Sequence, residues 1–161
     1  MRQVRCRFAD CLFSRQEAGD KQPADLHLRY IHNYFKYLIC TIKISSIRPF
    51  IGARDFIISR KFYRDLGFEE KELFHNMSYF GKQGFGFYLQ DYAAKEWLEN
   101  TMVFLEIDNV DDYWNELQAL KLPEKYPGVK LVPVRTEPWG KECFVHDPAG
   151  ILWHFGEFIS V

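Results

Sequence analysis

Between residues 102 and 107, Val103, Leu105 and Ile107 alternate with Met102, Phe104 and Glu106. This is the two-residue period of a strand with two different faces. Asp108 then offers an N-cap oxygen to a helix that carries Val110, Tyr113, Trp114, Leu117 and Leu120 on one side, at helical spacing. Pro123 and the pair Pro127-Gly128 break that helix. Strands are expected over 130–134, 141–145 and 151–155. The last two are joined through Asp147-Pro148-Ala149-Gly150, where Asp opens a type I turn, Pro fixes φ and Gly closes it.

The same order occurs earlier in the chain. Residues 46–51 read as a strand, and Asp55 caps a helix whose apolar face is Phe62, Tyr63 and Leu66. Gly67 ends that helix as a residue able to take a positive φ. Strands follow over 68–73, 77–80 and 85–90, the last two meeting across Gly81-Lys82-Gln83-Gly84, a hairpin composition. A strand, a helix and three strands, repeated, predict an α+β domain over residues 46–161. It would consist of two tandem βαβββ modules, about 46–92 and 101–158, forming a curved mixed sheet around a cleft. Each helix covers one face of its own sheet, so function is to be sought on the other face.

Residues 1–45 show no clean period around the turn cluster Gly19-Asp20-Lys21-Gln22-Pro23. They carry eight Lys or Arg against four acids, a net of +4, which leaves −5 on the remainder of a chain whose net charge is −1. This stretch reads as an extension, as an appended helix and strand, or as sequence from a misplaced start site, and has no assigned function.

The near-neutral balance gives no electrostatic footprint for nucleic acid. The apolar run 34–44 is interrupted by Lys36 and Lys43, is too short to span a bilayer, and lacks the order of a signal peptide. No membrane association is therefore expected. Four cysteines without a CxxC pair support neither a zinc ribbon nor a disulfide scaffold, and point to a reducing, cytoplasmic setting. Aromatic residues make up 17% of the chain, which fits either a core built from rings or a ring-lined ligand cleft. No Gly-x-Ser-x-Gly, no Gly-rich phosphate loop and no base beside Cys143 occurs, so neither a nucleophile nor a cofactor is indicated. Asp108, Asp111 and Asp112 read as acids at a helix N-terminus and not as a calcium loop.

Two phrases carry a family resemblance. The segment from Arg48-Pro49-Phe50-Ile51-Gly52-Ala53-Arg54-Asp55 to Ser59-Arg60-Lys61-Phe62-Tyr63-Arg64-Asp65-Leu66-Gly67-Phe68 resembles the opening of vicinal-oxygen-chelate domains. The run from Trp139-Gly140-Lys141-Glu142-Cys143-Phe144-Val145-His146 through Asp147-Pro148-Ala149-Gly150 to Ile151-Leu152-Trp153-His154-Phe155 resembles their ending, most closely in the bleomycin-resistance branch. The likeness covers about residues 46–158 and rests on packing and turn residues, which report fold more than function.

In metal-using members of that superfamily, the first and last strand of each module project His, Gln or Glu onto a divalent ion. Carried over by position, those sites fall on Arg48, Tyr88 (with Gln90 next on its face), Met102 and His154. A guanidinium has no acceptor, a phenol would need deprotonation, and a thioether is soft. Only His154 is an ordinary ligand, so no metal is expected. The resemblance then implies a small organic ligand held by Arg48, Phe50, Tyr88, Gln90, Met102, Phe104, Trp139 and His154, without catalysis. For Arg48 a solvent-facing role and an anion-pairing role stand equal. His154 bonds the ligand or is a satisfied structural histidine. Trp153 and Trp114 belong to the core, and His146 is exposed and idle. Acidic charge on the domain favours cationic ligands and Arg48 anionic ones. The resemblance also implies a homodimer. The alternative is a metal-dependent lyase, isomerase or dioxygenase with a non-standard site.

Overall fold

The structure is a computed structural model that describes residues 43–159, so the expectations for residues 1–42 fall outside the described part. The compact unit beginning at Ser46 contains β1 (Phe50–Gly52), α1 (Phe56–Asp65), β2 (Glu69–Phe74), β3 (Met77–Lys82) and β4 (Phe85–Gln90). After α2 (Lys95–Asn100) the order recurs as β5 (Met102–Glu106), α3 (Val110–Leu120), α4 (Leu122–Lys125), β6 (Lys130–Glu137), β7 (Gly140–His146) and β8 (Leu152–Phe158). The strands form two four-stranded sheets, ordered β1-β4-β3-β2 and β5-β8-β7-β6. Both are mixed, since β1 runs parallel to β4 and β5 parallel to β8, while the other neighbours are antiparallel. This is the α+β, two-module architecture that the periodicity predicts. The two sheets remain separate and do not close.

The elements form for local reasons. Asp55 accepts a bond from the Ile58 amide at 2.9 Å and caps α1, and Gly67 leaves that helix at φ +92°. The β3–β4 hairpin turns on Gln83 and Gly84, both at positive φ, as a tight two-residue turn requires. Asp147 and Gly150 close the β7–β8 turn through a 3.0 Å backbone bond.

Several boundaries differ from expectation. The first strand starts at Phe50, not residue 46, and Arg48 lies before it, exposed. Pro49 explains this: its carbonyl accepts the Tyr88 amide, but it has no N–H with which to continue the ladder. The N-cap of α3 is Asn109, whose side chain accepts from the Asp112 amide, and not Asp108. That helix ends through the left-handed Lys121, and Pro123 sits in the first turn of α4, where a missing N–H costs nothing. The helix α2 had no counterpart in the periodicity.

The modules share one core. Phe62, Tyr63, Phe80, Phe87, Leu89, Leu117, Val145, Trp153 and Phe155 are all buried. The Trp153 ring from β8 packs 5.7 Å from Tyr63, 5.8 Å from Phe68 and 5.2 Å from Phe87 of the first module. Trp114 is half-buried and packs against this core. The helix-side face of each sheet is therefore filled, and the opposite face is left open.

Candidate functional site

Alternation along the strands decides which side chains reach the open faces. In β4, Phe87 and Leu89 are buried, whereas Tyr88 and Gln90 stand on the other face, half-buried. Phe50 lies opposite Tyr88 in the parallel pair, and their rings are 4.9 Å apart. Tyr79 of β3 joins them, 5.8 Å from Tyr88. The Arg48 guanidinium donates to the Tyr88 hydroxyl at 3.3 Å and lies 4.6 Å from the centre of the Tyr79 ring. Bonding to that hydroxyl pushes the Arg48 guanidinium further above its usual range, so it is a fixed cation. Gln90 contacts the Met77 thioether at 3.9 Å.

On the second sheet, Phe104 and His154 are paired across β5 and β8, and His154 and Phe144 across β8 and β7. The three therefore share the open face. The Phe104 ring lies 6.0 Å from Trp139, 5.7 Å from Phe158 and 6.2 Å from His154. It crosses Gly156 so closely that an added Cβ there would come within 2.4 Å of the ring. Met102 stands at the strand's start, 67% exposed, with Phe104 43% and Trp139 37% exposed. The His154 Nδ1 is 3.0 Å from a carboxylate oxygen of Glu142, a residue of β7 to which the sequence reading assigned no role.

The eight candidate residues thus divide into two sets. Arg48, Phe50, Tyr88 and Gln90 share the open face of the first sheet, and Met102, Phe104, Trp139 and His154 that of the second. Among the described residues, no hydrogen bond, ion pair or ring contact joins the sets. A cleft of about 350 Å³ lies elsewhere, lined by Phe68, Lys82, Tyr113 and several carboxylates, and by none of the eight. Its two tightly packed rings, Phe68 and Tyr113, belong to the core, against Phe87, Trp153 and Phe155, and neither open-face ring cluster reaches it. Reasoning from sequence missed Tyr79, Phe144 and Glu142. Counting outward from the turn at Asp147–Gly150 would have put Phe144 opposite His154 and Glu142 on the same face.

The positions onto which the resemblance carries metal ligands hold side chains that do not suit a dication. Arg48 brings positive charge, Tyr88 a phenol and Met102 a thioether. Only His154, with Glu142 beside it, supplies ordinary donors, and among the described residues no three His, Cys, Asp or Glu side chains converge. Cys143 is buried in the core, and burial, with Glu142 adding to it, pushes its thiol up to about 11. At neutral pH it is therefore no nucleophile. His146 is half-buried in β7, in contrast to the exposed position expected.

Two tandem βαβββ modules with this strand order give the domain a fold shared with solved bleomycin-binding and glyoxalase-type proteins. The bleomycin-binding protein of Streptomyces verticillus, solved with copper(II)-bleomycin, superimposes with a TM-score of 0.58 at 21% identity, covering 74% of this chain and 100% of that one. A bleomycin resistance determinant encoded on the transposon Tn5 gives a TM-score of 0.63 at 15% identity, over 73% of this chain and 100% of the other. Lactoylglutathione lyase from Agrobacterium tumefaciens shares the fold as well, at a TM-score of 0.55 and 17% identity, over 71% and 95% of the two chains. The sequence itself matches no family profile and no curated protein. No helix among the described residues is long and apolar enough to cross a membrane.

Proposed function

We propose that this protein binds and sequesters a small aromatic or charged organic compound without a protein-held metal, in the manner of bleomycin-resistance proteins. One observation carries the reading. Both open sheet faces display clustered, partly exposed rings beside a few fixed polar groups, Arg48 and Tyr88 on one and His154 on the other. Rings give contact area, and the polar groups give orientation. Sequestration needs affinity and no transition-state chemistry, which suits positions unfit for a dication.

A flat face alone encloses little, so the reading includes a homodimer in which the open face of a second copy supplies the other wall. Bleomycin-type glycopeptides are the first compounds to try, because two fold relatives are named for binding or resisting them. A cytoplasmic setting is part of the proposal and rests on four cysteines without a CxxC pair or the count of a disulfide scaffold.

The test is a thermal-shift screen of metal-free bleomycin and other cationic aromatic antibiotics, preceded by metal analysis of protein purified without chelator. A bound ligand at about a hundred times its dissociation constant stabilises the fold by about 2.7 kcal/mol, a readable shift. Stoichiometric zinc, nickel, manganese or iron would replace this reading with a metal-dependent lyase, isomerase or dioxygenase.

A further inference from the structure

The Glu142 carboxylate is 13% exposed and lies on the open face of the second sheet, 3.0 Å from His154 Nδ1. The imidazole is packed on both sides, 4.8 Å edge-on from the Phe144 ring and 6.2 Å from the Phe104 ring. Arg135, opposite Glu142 across β6 and β7, lies over the Phe144 ring, 5.3 Å from its centre. The ring is thereby fixed in plane and direction. Its other nitrogen, Nε2, has no hydrogen-bond partner among the described residues, yet it is not a buried orphan, since only the Ser59 hydroxyl is. It therefore opens onto the face that carries Phe104, Trp139 and Phe158.

We propose that Glu142 is a positioning residue that holds His154 with its proton on Nδ1, so that Nε2 presents a lone pair to the ligand. An ionised carboxylate only accepts hydrogen bonds, so the nitrogen facing it must be the donor, and in a neutral imidazole the other nitrogen is then the acceptor. This half of the site consequently selects a flat ring that carries its own N–H or O–H donor. That preference rests on the small-molecule reading above, whereas the tautomer does not.

The experiment has two arms. Nitrogen-15 long-range correlation spectra of histidine-labelled protein, at about pH 8.5 and so above the ordinary imidazole range, read which ring nitrogen carries the proton. The H154Q variant identifies the resonance among the five histidines. The wild type is expected in the Nδ1–H form. E142Q is expected to populate both forms, because an amide both donates and accepts, and E142A to lose the Nδ1–H preference. A wild-type Nε2–H form, or an unchanged tautomer in both variants, overturns the assignment. Two substitutions are used so that a poorly folded E142A does not decide the matter.

The second arm compares indole with 1-methylindole by chemical-shift titration, since the rings match and only indole donates. The wild type should bind indole about fivefold tighter, in keeping with one net hydrogen bond, and E142A should bind the two alike. Equal binding to the wild type overturns the ligand preference. If neither probe binds, the small-molecule reading fails at this face, and with it the ligand preference, while the tautomer result stands.

Discussion

Tyr63 ties the two modules together through a single oxygen. Its hydroxyl donates to Asp147 at 2.6 Å and accepts from the Trp153 indole at 3.2 Å. Asp147 also accepts the Ala149 and Ile151 amides at 2.8 Å each. Burial works against these donors and prevails, raising the Asp147 carboxyl from 3.8 to about 6, while burial first and Asp147 second push the Tyr63 phenol well up. The folded state holds the proton more tightly than the unfolded chain, so the stabilisation is complete below about pH 4 and is lost as pH rises through 6. Its size is on the order of 3 kcal/mol, from about two units at 1.36 kcal/mol each. Urea titrations of the wild type should show stability falling between pH 4 and 6.5, and in D147N that slope should vanish; an equal slope in both would assign it to other groups. Y63F leaves the carboxylate one donor short, and should cost about 1–3 kcal/mol near neutral pH.

At the level of elements, close backbone approach distinguishes two glycines on the same sheet. A Cβ at Gly140 would meet the Glu157 carbonyl oxygen at 1.9 Å, whereas the nearest atoms to one at Gly156 belong to the Phe104 ring, at 2.4 Å. Backbone cannot yield, but a side chain can rotate. G140A should therefore lose more than about 2 kcal/mol by denaturant unfolding, and G156A much less, with the Phe104 ring displaced from the open face. The helix cap separates two neighbours in the same way: N109A should cost about 1 kcal/mol and D108A under about 0.5, and comparable losses would mean the cap is shared. Period-two alternation, Asp55, Gly67 and the Asp147–Gly150 turn are local signals, and the modules follow from them. The start of β1 at Phe50 follows from Pro49, a local signal, whereas the presence of α2 depends on packing at Gly52, where the Tyr92 carbonyl and Leu98 crowd in. No local pattern carries that information. The resemblance, carried over by position, put Tyr88 and His154 on the open faces and alternation put Phe104 there; neither speaks to Glu142, which joins that face only through the register that the Asp147–Gly150 turn sets.

For the whole molecule, the open faces set the main question. A helix covers each sheet on one side only, and rings such as Phe50 and Phe104 remain 47% and 43% exposed on the other. An exposed apolar patch of this kind marks an interface or a ligand surface, and in the homodimer proposed above it is both at once. A lysine at Phe50 or Phe104 separates this from a purely structural role for the rings. Within a single chain, both positions are solvated enough for the ammonium to remain in water, so F50K and F104K should change monomer stability by less than about 1 kcal/mol. Buried between two copies, the same ammonium would lack a partner, and association should weaken by at least tenfold. Sedimentation equilibrium over a concentration series reads the association, and thermal unfolding at low concentration reads the fold. If the wild type is a monomer at every concentration, the shared-wall arrangement fails, and each open face must bind its ligand alone. If it dimerises and both lysine variants dimerise as tightly, the copies meet through some other surface. Loss of association in both variants with the fold intact would leave the two ring clusters, separate in one chain, facing each other across the pair.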